Sequence, residues 1–245
     1  MGPLLQVEHL SISFTQYDRG TRQRSLPVIR DLSLAIRPGQ VTAVVGSSGS
    51  GKSLLAHGIL GILPYNASLE GTITYGGEPL TRRRVEALRG REIVLVPQGV
   101  TYLDPLREIG PQIRRGRRDD AARAESRAVL ARYGLGPEVE RMYPFELSGG
   151  MARRALIAAA VVERPKLIIA DEPTPGLDAR AAGRILGHFR ELAEDGAGVL
   201  LITHDLELAL TIAHRVLVLY AGETIEEADA ADFSAGKLRH PYTRA

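Results

Sequence analysis

The sequence predicts an α/β fold, in which helices cover a mostly parallel β-sheet. Short apolar runs rich in β-branched residues recur along the 245-residue chain. They occupy residues 41–45, 93–97, 167–170, 199–203 and 216–220. Fully apolar runs of this length indicate strands buried on both faces, as in parallel sheets. Helical patterns separate several of the runs, and this alternation predicts parallel strands joined by helices.

An antiparallel β portion is expected at the N-terminus. The stretches LLQVEHLSISF (residues 4–14) and VIRDLSLAI (28–36) alternate between apolar and polar residues, and the turn Pro38-Gly39 follows the second. Alternation with a period of two indicates strands with one buried face.

The first predicted helix begins after the strand at residues 41–45. A Gly/Ser loop is followed by KSLLAHGILGIL (52–63), and we expect Pro64 to end this helix. The pattern is thus strand, loop, helix.

The segment 106–147 carries no strand pattern. Its stretch DDAARAESRAVLARYG predicts a helix with a cap at Asp119 or Asp120 and a stop at Gly134. We therefore expect one domain over 1–245. Its α/β core is formed by 1–98 and 148–245, and a helical subdomain is inserted at about 99–147.

Composition excludes several classes of function. The 31 basic and 29 acidic residues nearly cancel, and the basic run at 114–118 is interpreted as a solvated face, so we expect no nucleic acid partner. The absence of Cys excludes disulfides, thiolate catalysis and Cys-ligated metal sites. No apolar run approaches the roughly 20 residues that span a bilayer, and the N-terminus lacks a signal-peptide pattern. A soluble chain is expected, with any membrane role exerted through partners.

The stretch GSSGSGKS has the pattern G-x-x-x-x-G-K-S of a phosphate-binding loop. Its glycines let backbone N–H groups surround a phosphate, Lys52 reaches the outer phosphates, and the Ser53 hydroxyl can bind Mg²⁺. A flexible turn is the alternative, but a chance match is roughly a one-in-a-hundred event. The predicted ATP-binding residues are Gly46, Ser47, Ser48, Gly49, Ser50, Gly51, Lys52 and Ser53.

Polar side chains follow three other predicted strands. Asp171 and Glu172 end the strand LIIADEP; the first suits contact with Mg²⁺, and the second suits a base that polarises the attacking water. Gln98 follows IVLVP and offers an amide oxygen to Mg²⁺ or water, and His204 follows VLLIT and could contact a γ-phosphate. A solvated acidic turn and a surface histidine are the alternatives.

The stretch YPFELSGGMARRALIAAA (143–160) predicts a second phosphate-binding element. A helix is expected to start near Met151 after the turn Ser148-Gly149-Gly150, and free N–H groups at a helix start bind anions. One γ-phosphate does not need two such elements from one chain. We therefore expect two subunits to meet head to tail, with each covering the ATP of the other.

These motifs, in this order, resemble the ATP-binding cassette family over nearly the whole chain, as the nucleotide-binding subunit of a transporter. GSSGSGKS is similar to the Walker A loop, LIIADEP to the Walker B strand and Gln98 to the Q-loop glutamine. PGLD (175–178), which includes Asp178, resembles the D-loop. His204 resembles the switch histidine. Phe14 resembles the adenine-stacking aromatic, with Tyr17 as the alternative. The signature residues are Leu147, Ser148, Gly149, Gly150 and Met151.

The resemblance implies an ATPase with catalytic Glu172, His204 and Gln98, and with Mg²⁺ at Ser53, Gln98 and Asp171. It also implies partners: a second cassette subunit, identical or paralogous, two membrane-spanning permeases and an extracytoplasmic solute-binding protein. The helical insert would dock on the permeases near Gln98, at the cytoplasmic face of the inner membrane. Two residues depart from the family pattern, since Met151 stands where Gln is usual and Pro175 where Ser or Thr is usual.

The C-terminal HPYTRA (240–245) is similar to tails of the oligopeptide, dipeptide and nickel importers. The stretches 60–64 and 143–151 most resemble the nickel-type branch. The leading expectation is therefore import of nickel or a metal chelate, with di- or oligopeptide import as the alternative. Less favoured hypotheses are a soluble cassette ATPase in translation or DNA repair, and an accessory subunit of a metabolic enzyme complex.

Overall fold

Two β-sheets organise the protein in the computed structural model, which describes residues 2–18 and 22–244. The strands of the described residues are β1 Leu5–Asp18, β2 Arg22–Ile36, β3 Val41–Gly46, β4 Ala67–Tyr75, β5 Glu78–Pro79, β6 Ile93–Val96, β7 Leu167–Asp171, β8 Gly198–Thr203, β9 Arg215–Tyr220 and β10 Glu223–Asp229. The helices are α1 Lys52–Ile59, α2 Arg82–Leu88, α3 Ile109–Ile113, α4 Asp120–Arg132, α5 Gly149–Val161, α6 Ala179–Glu194, α7 Leu206–Leu210, α8 Ala230–Ser234 and α9 Pro241–Arg244.

The larger sheet has the order β10-β9-β3-β8-β7-β6. Its strands pair in parallel from β9 to β6, and β10 adds an antiparallel edge. The predicted α/β fold with a mostly parallel sheet is confirmed. Because these strands run in the same direction, the residues that follow β3, β6, β7 and β8 emerge at one edge of the sheet.

The smaller sheet has the order β2-β1-β4-β5 and is antiparallel, as the sequence predicted for the N-terminal portion. Its buried side chains, such as Leu5 and Ile12, share one hydrophobic cluster with Leu55 of α1 and one face of the larger sheet. The other face packs against α5 and α6, where Ile157 and Phe189 are fully buried. The larger sheet thus lies between two apolar layers.

The chain between β6 and β7 is helical throughout its regular structure, with short 3₁₀ turns at Val100–Tyr102, Pro137–Arg141 and Pro144–Glu146. The Asp119 carboxylate caps α4 by accepting a hydrogen bond from the Ala122 N–H at 2.8 Å, and Gly134 follows the helix at φ +68°. Helix α5 packs against both β6 and the inserted α3 and α4. The domain boundary near residue 148 therefore remains a prediction.

Helix α1 is shorter than the sequence predicted. It ends at Ile59, before Pro64, because Gly61 adopts φ +62° and the backbone N–H of Ile62 turns back to donate to the His57 carbonyl at 2.9 Å. Within the described ranges, no helix has the length and apolarity that crossing a membrane requires.

Candidate active site

The loop from β3 to α1 is held in a form that only glycine tolerates well. Gly49 and Gly51 have φ values of +80° and +99°, and a Cβ on Gly51 would lie 2.9 Å from the Ile29 side chain. The Lys52 ammonium, only 6% exposed, donates to the carbonyls of Gly46 at 2.7 Å and Ser47 at 2.9 Å. The loop and its lysine therefore form a pre-arranged cradle for an anion.

Burial lowers the pKa of Lys52, and the negative charges of Glu172 and Asp171 oppose this effect. The two carboxylates thus lie within electrostatic range of the ammonium, although they are about 120 residues away along the chain. The parallel sheet brings these predicted residues together.

A cavity of about 300 Å³ opens above the loop. It is lined by Val28, Ser48, Gly49, Gly51, Lys52, Ser53, Leu54, Gln98 and Glu172. A larger groove of about 690 Å³ lies beside α1, β4 and α2, but Arg82 is the one charged residue in its lining. The smaller cavity is the candidate site because the loop, an amide and a carboxylate converge on it.

Asp171 ends β7 and is 4% exposed. Burial raises the pKa of its carboxyl group, and a hydrogen bond from the Ser53 hydroxyl offsets part of this rise. Its Oδ1 atom has no hydrogen-bond partner although it is buried. This unpaired oxygen, the Ser53 hydroxyl and the exposed Gln98 amide are hard oxygen donors that fit Mg²⁺. No group of three or more His, Cys, Asp and Glu residues in the described chain could hold a metal ion. Phosphate oxygens would complete the shell.

Glu172 is buried next to Asp171 and adopts φ +46°, a backbone conformation that is uncommon for residues other than glycine. The Nδ1 atom of His204 lies 2.9 Å and 3.0 Å from the two carboxylate oxygens. An ionised carboxylate only accepts hydrogen bonds, so Nδ1 donates and Nε2 is left for a ligand. The structure therefore brings the predicted base and histidine into contact, with the His204 side chain 58% exposed.

The signature residues do not line this cavity. Ser148 is exposed and caps α5 by accepting from the Met151 N–H at 3.3 Å, so the helix begins at Gly149, two residues before Met151. Gly150 lies beside Gly176, since a Cβ on Gly150 would be 3.6 Å from its carbonyl oxygen. Leu147 is half-buried.

Asp178 caps the following helix, α6, and accepts from the Ala181 N–H at 2.8 Å. This backbone hydrogen bond lowers the pKa of the Asp178 carboxyl group. The signature and the predicted D-loop therefore adjoin each other at the starts of α5 and α6.

The predicted adenine-stacking residue does not line the cavity either. Phe14 is half-buried and packs against the cluster beneath the small sheet. Tyr17 is 70% exposed, and its hydroxyl accepts from the Gln23 amide at 3.1 Å. Stacking on either ring remains a prediction.

Arg153 is a residue that the sequence analysis missed. It lies on α5 and donates to the carbonyl oxygen of Glu172 at 2.9 Å and to that of Gln98. Its partners are 19 and 55 residues away along the chain, so no local pattern reveals the contact.

Comparison with known proteins identifies relatives of this chain. A family model described as ABC transporter matches residues 29–175. The chain is 39% identical to the uncharacterized ABC transporter ATP-binding protein YejF of Escherichia coli (strain K12), over 98% of this chain and 47% of YejF. It is 35% identical to the oligopeptide transport ATP-binding protein OppD of Salmonella typhimurium, over 98% of this chain and 74% of OppD. It is also 35% identical to the dipeptide transport ATP-binding protein DppD of E. coli, over 99% and 76%. The chain thus spans about half of YejF and about three quarters of OppD and DppD.

Solved structures show the same fold. A dimeric post-hydrolysis state of the ATP-binding cassette MJ0796, bound to ADP and Pi, superposes with a TM-score of 0.79 at 25% identity, over 92% of this chain and 98% of MJ0796. The cbiO1 protein of Clostridium perfringens, part of the ABC transporter complex cbiONQ, gives 0.76 at 27% identity, over 97% and 92%.

Replacing Asp171 by Asn keeps the volume of the side chain but removes its charge. If the unpaired Oδ1 helps to hold Mg²⁺, the Mg²⁺ concentration for half-maximal ATP hydrolysis should rise about 10- to 100-fold. ATP binding in EDTA should change little. Hydrolysis titrated with MgCl₂ measures the first quantity, and binding of a fluorescent ATP analogue measures the second. The exposed Asp195→Asn is the control, and an unchanged Mg²⁺ requirement in Asp171→Asn would contradict the assignment.

Proposed function

Since the chain belongs to the ABC transporter family, whose cassettes hydrolyse ATP, we propose that it powers an importer of di- or oligopeptides through partner membrane subunits. The observation that carries the ATPase part is the contact between Glu172 and His204 beside the Lys52 loop. It supplies a base and a group that orients the base at the place where a γ-phosphate would lie.

In this proposal the chain mainly positions charged groups. N–H groups of the loop and the Lys52 ammonium hold the β- and γ-phosphates, and Glu172 orients and polarises the attacking water. His204 fixes the carboxylate through Nδ1 and turns Nε2 toward the γ-phosphate. Ser53, Asp171 and Gln98 would hold Mg²⁺ together with the phosphates, and the ion would neutralise charge on the phosphate oxygens.

A second cassette subunit completes the site. Ser148 and Gly149 are exposed and Gly150 is half-buried at the start of α5, a helix of 13 residues, where free N–H groups favour an anion. They do not line the cavity of their own subunit. Binding ATP held by another subunit would give them their partner, and the related cassette MJ0796 is dimeric. The second subunit is a copy or a paralogue.

The membrane subunits would dock on an apolar groove of about 390 Å³, lined in part by Leu60, Leu95, Pro97, Tyr102 and Leu156. The groove joins the end of α1, strand β6 and helix α5, and it lies next to Gln98 along the chain. A movement of a docked permease would thus be transmitted to the ATP site through the segment that carries Gln98. The proposed assembly has two cassettes, two permeases and an extracytoplasmic solute-binding protein. It places this chain peripherally at the cytoplasmic face of the inner membrane.

For the cargo, we rank import of di- or oligopeptides above import of nickel or a metal chelate, which reverses the order expected from the sequence. OppD and DppD are named for oligopeptide and dipeptide transport, which supports the peptide alternative over nickel. The C-terminal tail, which resembles the tails of oligopeptide, dipeptide and nickel importers alike, does not separate these cargoes, and its contacts are local. The Glu226 carboxylate on β10 accepts from the N–H groups of Arg239 and His240 and from the Thr243 hydroxyl.

Glu172→Gln tests the ATPase assignment. The amide keeps the shape of the side chain but loses the charge that polarises water. Hydrolysis by the assembled transporter should fall by a factor on the order of 10² to 10⁴, while ATP still binds and holds the cassettes closed. Phosphate release and nucleotide retention measure the two effects. Glu194→Gln, on the exposed side of α6, is the control, and near-normal turnover in Glu172→Gln would remove Glu172 from the reaction.

Uptake by a strain that lacks the gene tests the cargo. We expect uptake of a labelled di- or oligopeptide to be lost and to return with the intact gene but not with the Glu172→Gln gene. Uptake of labelled nickel, free or chelated, should not change. The opposite result would restore the nickel hypothesis, and no change in either would contradict import and favour a cassette ATPase outside transport.

A further inference from the structure

Arg153 is a charged side chain beside the site to which the proposed reaction gives no role. It is half-buried on α5, and its Nη1 donates to the Glu172 carbonyl at 2.9 Å while Nη2 donates to the Gln98 carbonyl. Burial lowers the pKa of Arg153, and the charge of Glu172 opposes this effect. The guanidinium therefore lies close to the catalytic carboxylate but holds backbone atoms.

The backbone of Glu172 needs such support. Its φ of +46° costs energy for a residue with a side chain, so the neighbouring structure must hold it. The Glu172 N–H donates to the Ile202 carbonyl at 2.9 Å, and the carboxylate is bound by His204. Arg153 binds the remaining group, the carbonyl oxygen. The peptide on either side of the base is thereby fixed.

The neighbouring arginine faces elsewhere. Arg154 donates to the carbonyls of Tyr133, Gly134 and Gly150, so it ties α5 to the end of α4. Arg153 instead spans two segments that both reach the cavity. A planar guanidinium can hold two acceptors in fixed positions, which a lysine ammonium on a flexible stem does less well.

We infer that Arg153 is a positioning residue, which fixes the Glu172 peptide and the Gln98 turn relative to each other and to the helix that carries the signature. This inference rests on the proposed ATPase function. When the signature of α5 binds the partner's ATP, any movement of α5 is passed through Arg153 to the base of its own subunit.

Arg153→Ala in the assembled transporter tests this role. Because the base is misplaced but the phosphate loop is intact, kcat should fall on the order of 10- to 100-fold. KM and the affinity for ATP should stay within about twofold, since Arg153 does not line the cavity. Arg153→Lys and Arg153→Gln each keep a donor and should recover part of the loss. These two variants decide the question if Arg153→Ala does not fold.

A second measurement separates positioning from a general loss of structure. If Arg153 acts through Glu172, adding Arg153→Ala to Glu172→Gln should not lower the residual hydrolysis further, because effects on one unit are not additive. The control is Arg84→Ala, which removes a guanidinium that also binds two carbonyls, of Glu78 at 2.7 Å and Pro79 at 3.4 Å, on the small sheet. Its kcat should be unchanged.

Three results would overturn the inference. They are an unchanged kcat in Arg153→Ala, a loss expressed in KM alone, or an equal loss in the wild-type and Glu172→Gln backgrounds. These results differ from failure of the proposed function. That function fails if the wild-type assembly does not hydrolyse ATP or if Glu172→Gln hydrolyses it normally.

Discussion

The pairing of parallel strands at the carboxyl edge of the larger sheet is the constraint on which the site depends. In the register, Val45 lies opposite Thr203, Asp171 opposite Ile202, and Val96 opposite Ala170. The phosphate loop, the two carboxylates and His204 therefore leave the sheet at one level. A slip by one residue would turn each side chain to the opposite face. Both faces of the sheet are closely packed, so such a slip would disrupt the packing of both hydrophobic clusters.

Much of the fold and the site could be predicted because strand ends are visible in the sequence. Buried strands read as apolar runs, and Asp171, Glu172 and His204 follow them directly. The end of α1 could not be predicted from Pro64, because the left-handed conformation of Gly61 acts first. A glycine inside an apolar run does not reveal whether it continues or ends a helix. The hydrophobic pattern of a sequence thus predicts the presence of a helix or strand better than the residue at which it ends.

The contacts made by Arg153 and Phe14 could not be predicted for a different reason. Both depend on how elements distant in sequence pack on one another. Arg153 reaches the Glu172 and Gln98 carbonyls because α5 packs against β6 and so lies near the segments that follow β6 and β7. Phe14 lies within β1, which runs to Asp18, and its ring packs beneath the small sheet. Spacing along a strand does not fix the direction in which a ring faces.

We expect the signature to act on the ATP of a second subunit, and the Ser148→Arg variant tests this claim. The long side chain would occupy the place of the partner's γ-phosphate. ATP affinity of the isolated subunit should stay within about twofold, because Ser148 is outside the cavity. ATP-driven association of the two cassette subunits should be lost. The control variant Ser234→Arg, at an exposed position, should keep both the ATP affinity and the association. A fall in the ATP affinity of the isolated Ser148→Arg subunit would contradict the claim, since it would place the signature on its own nucleotide.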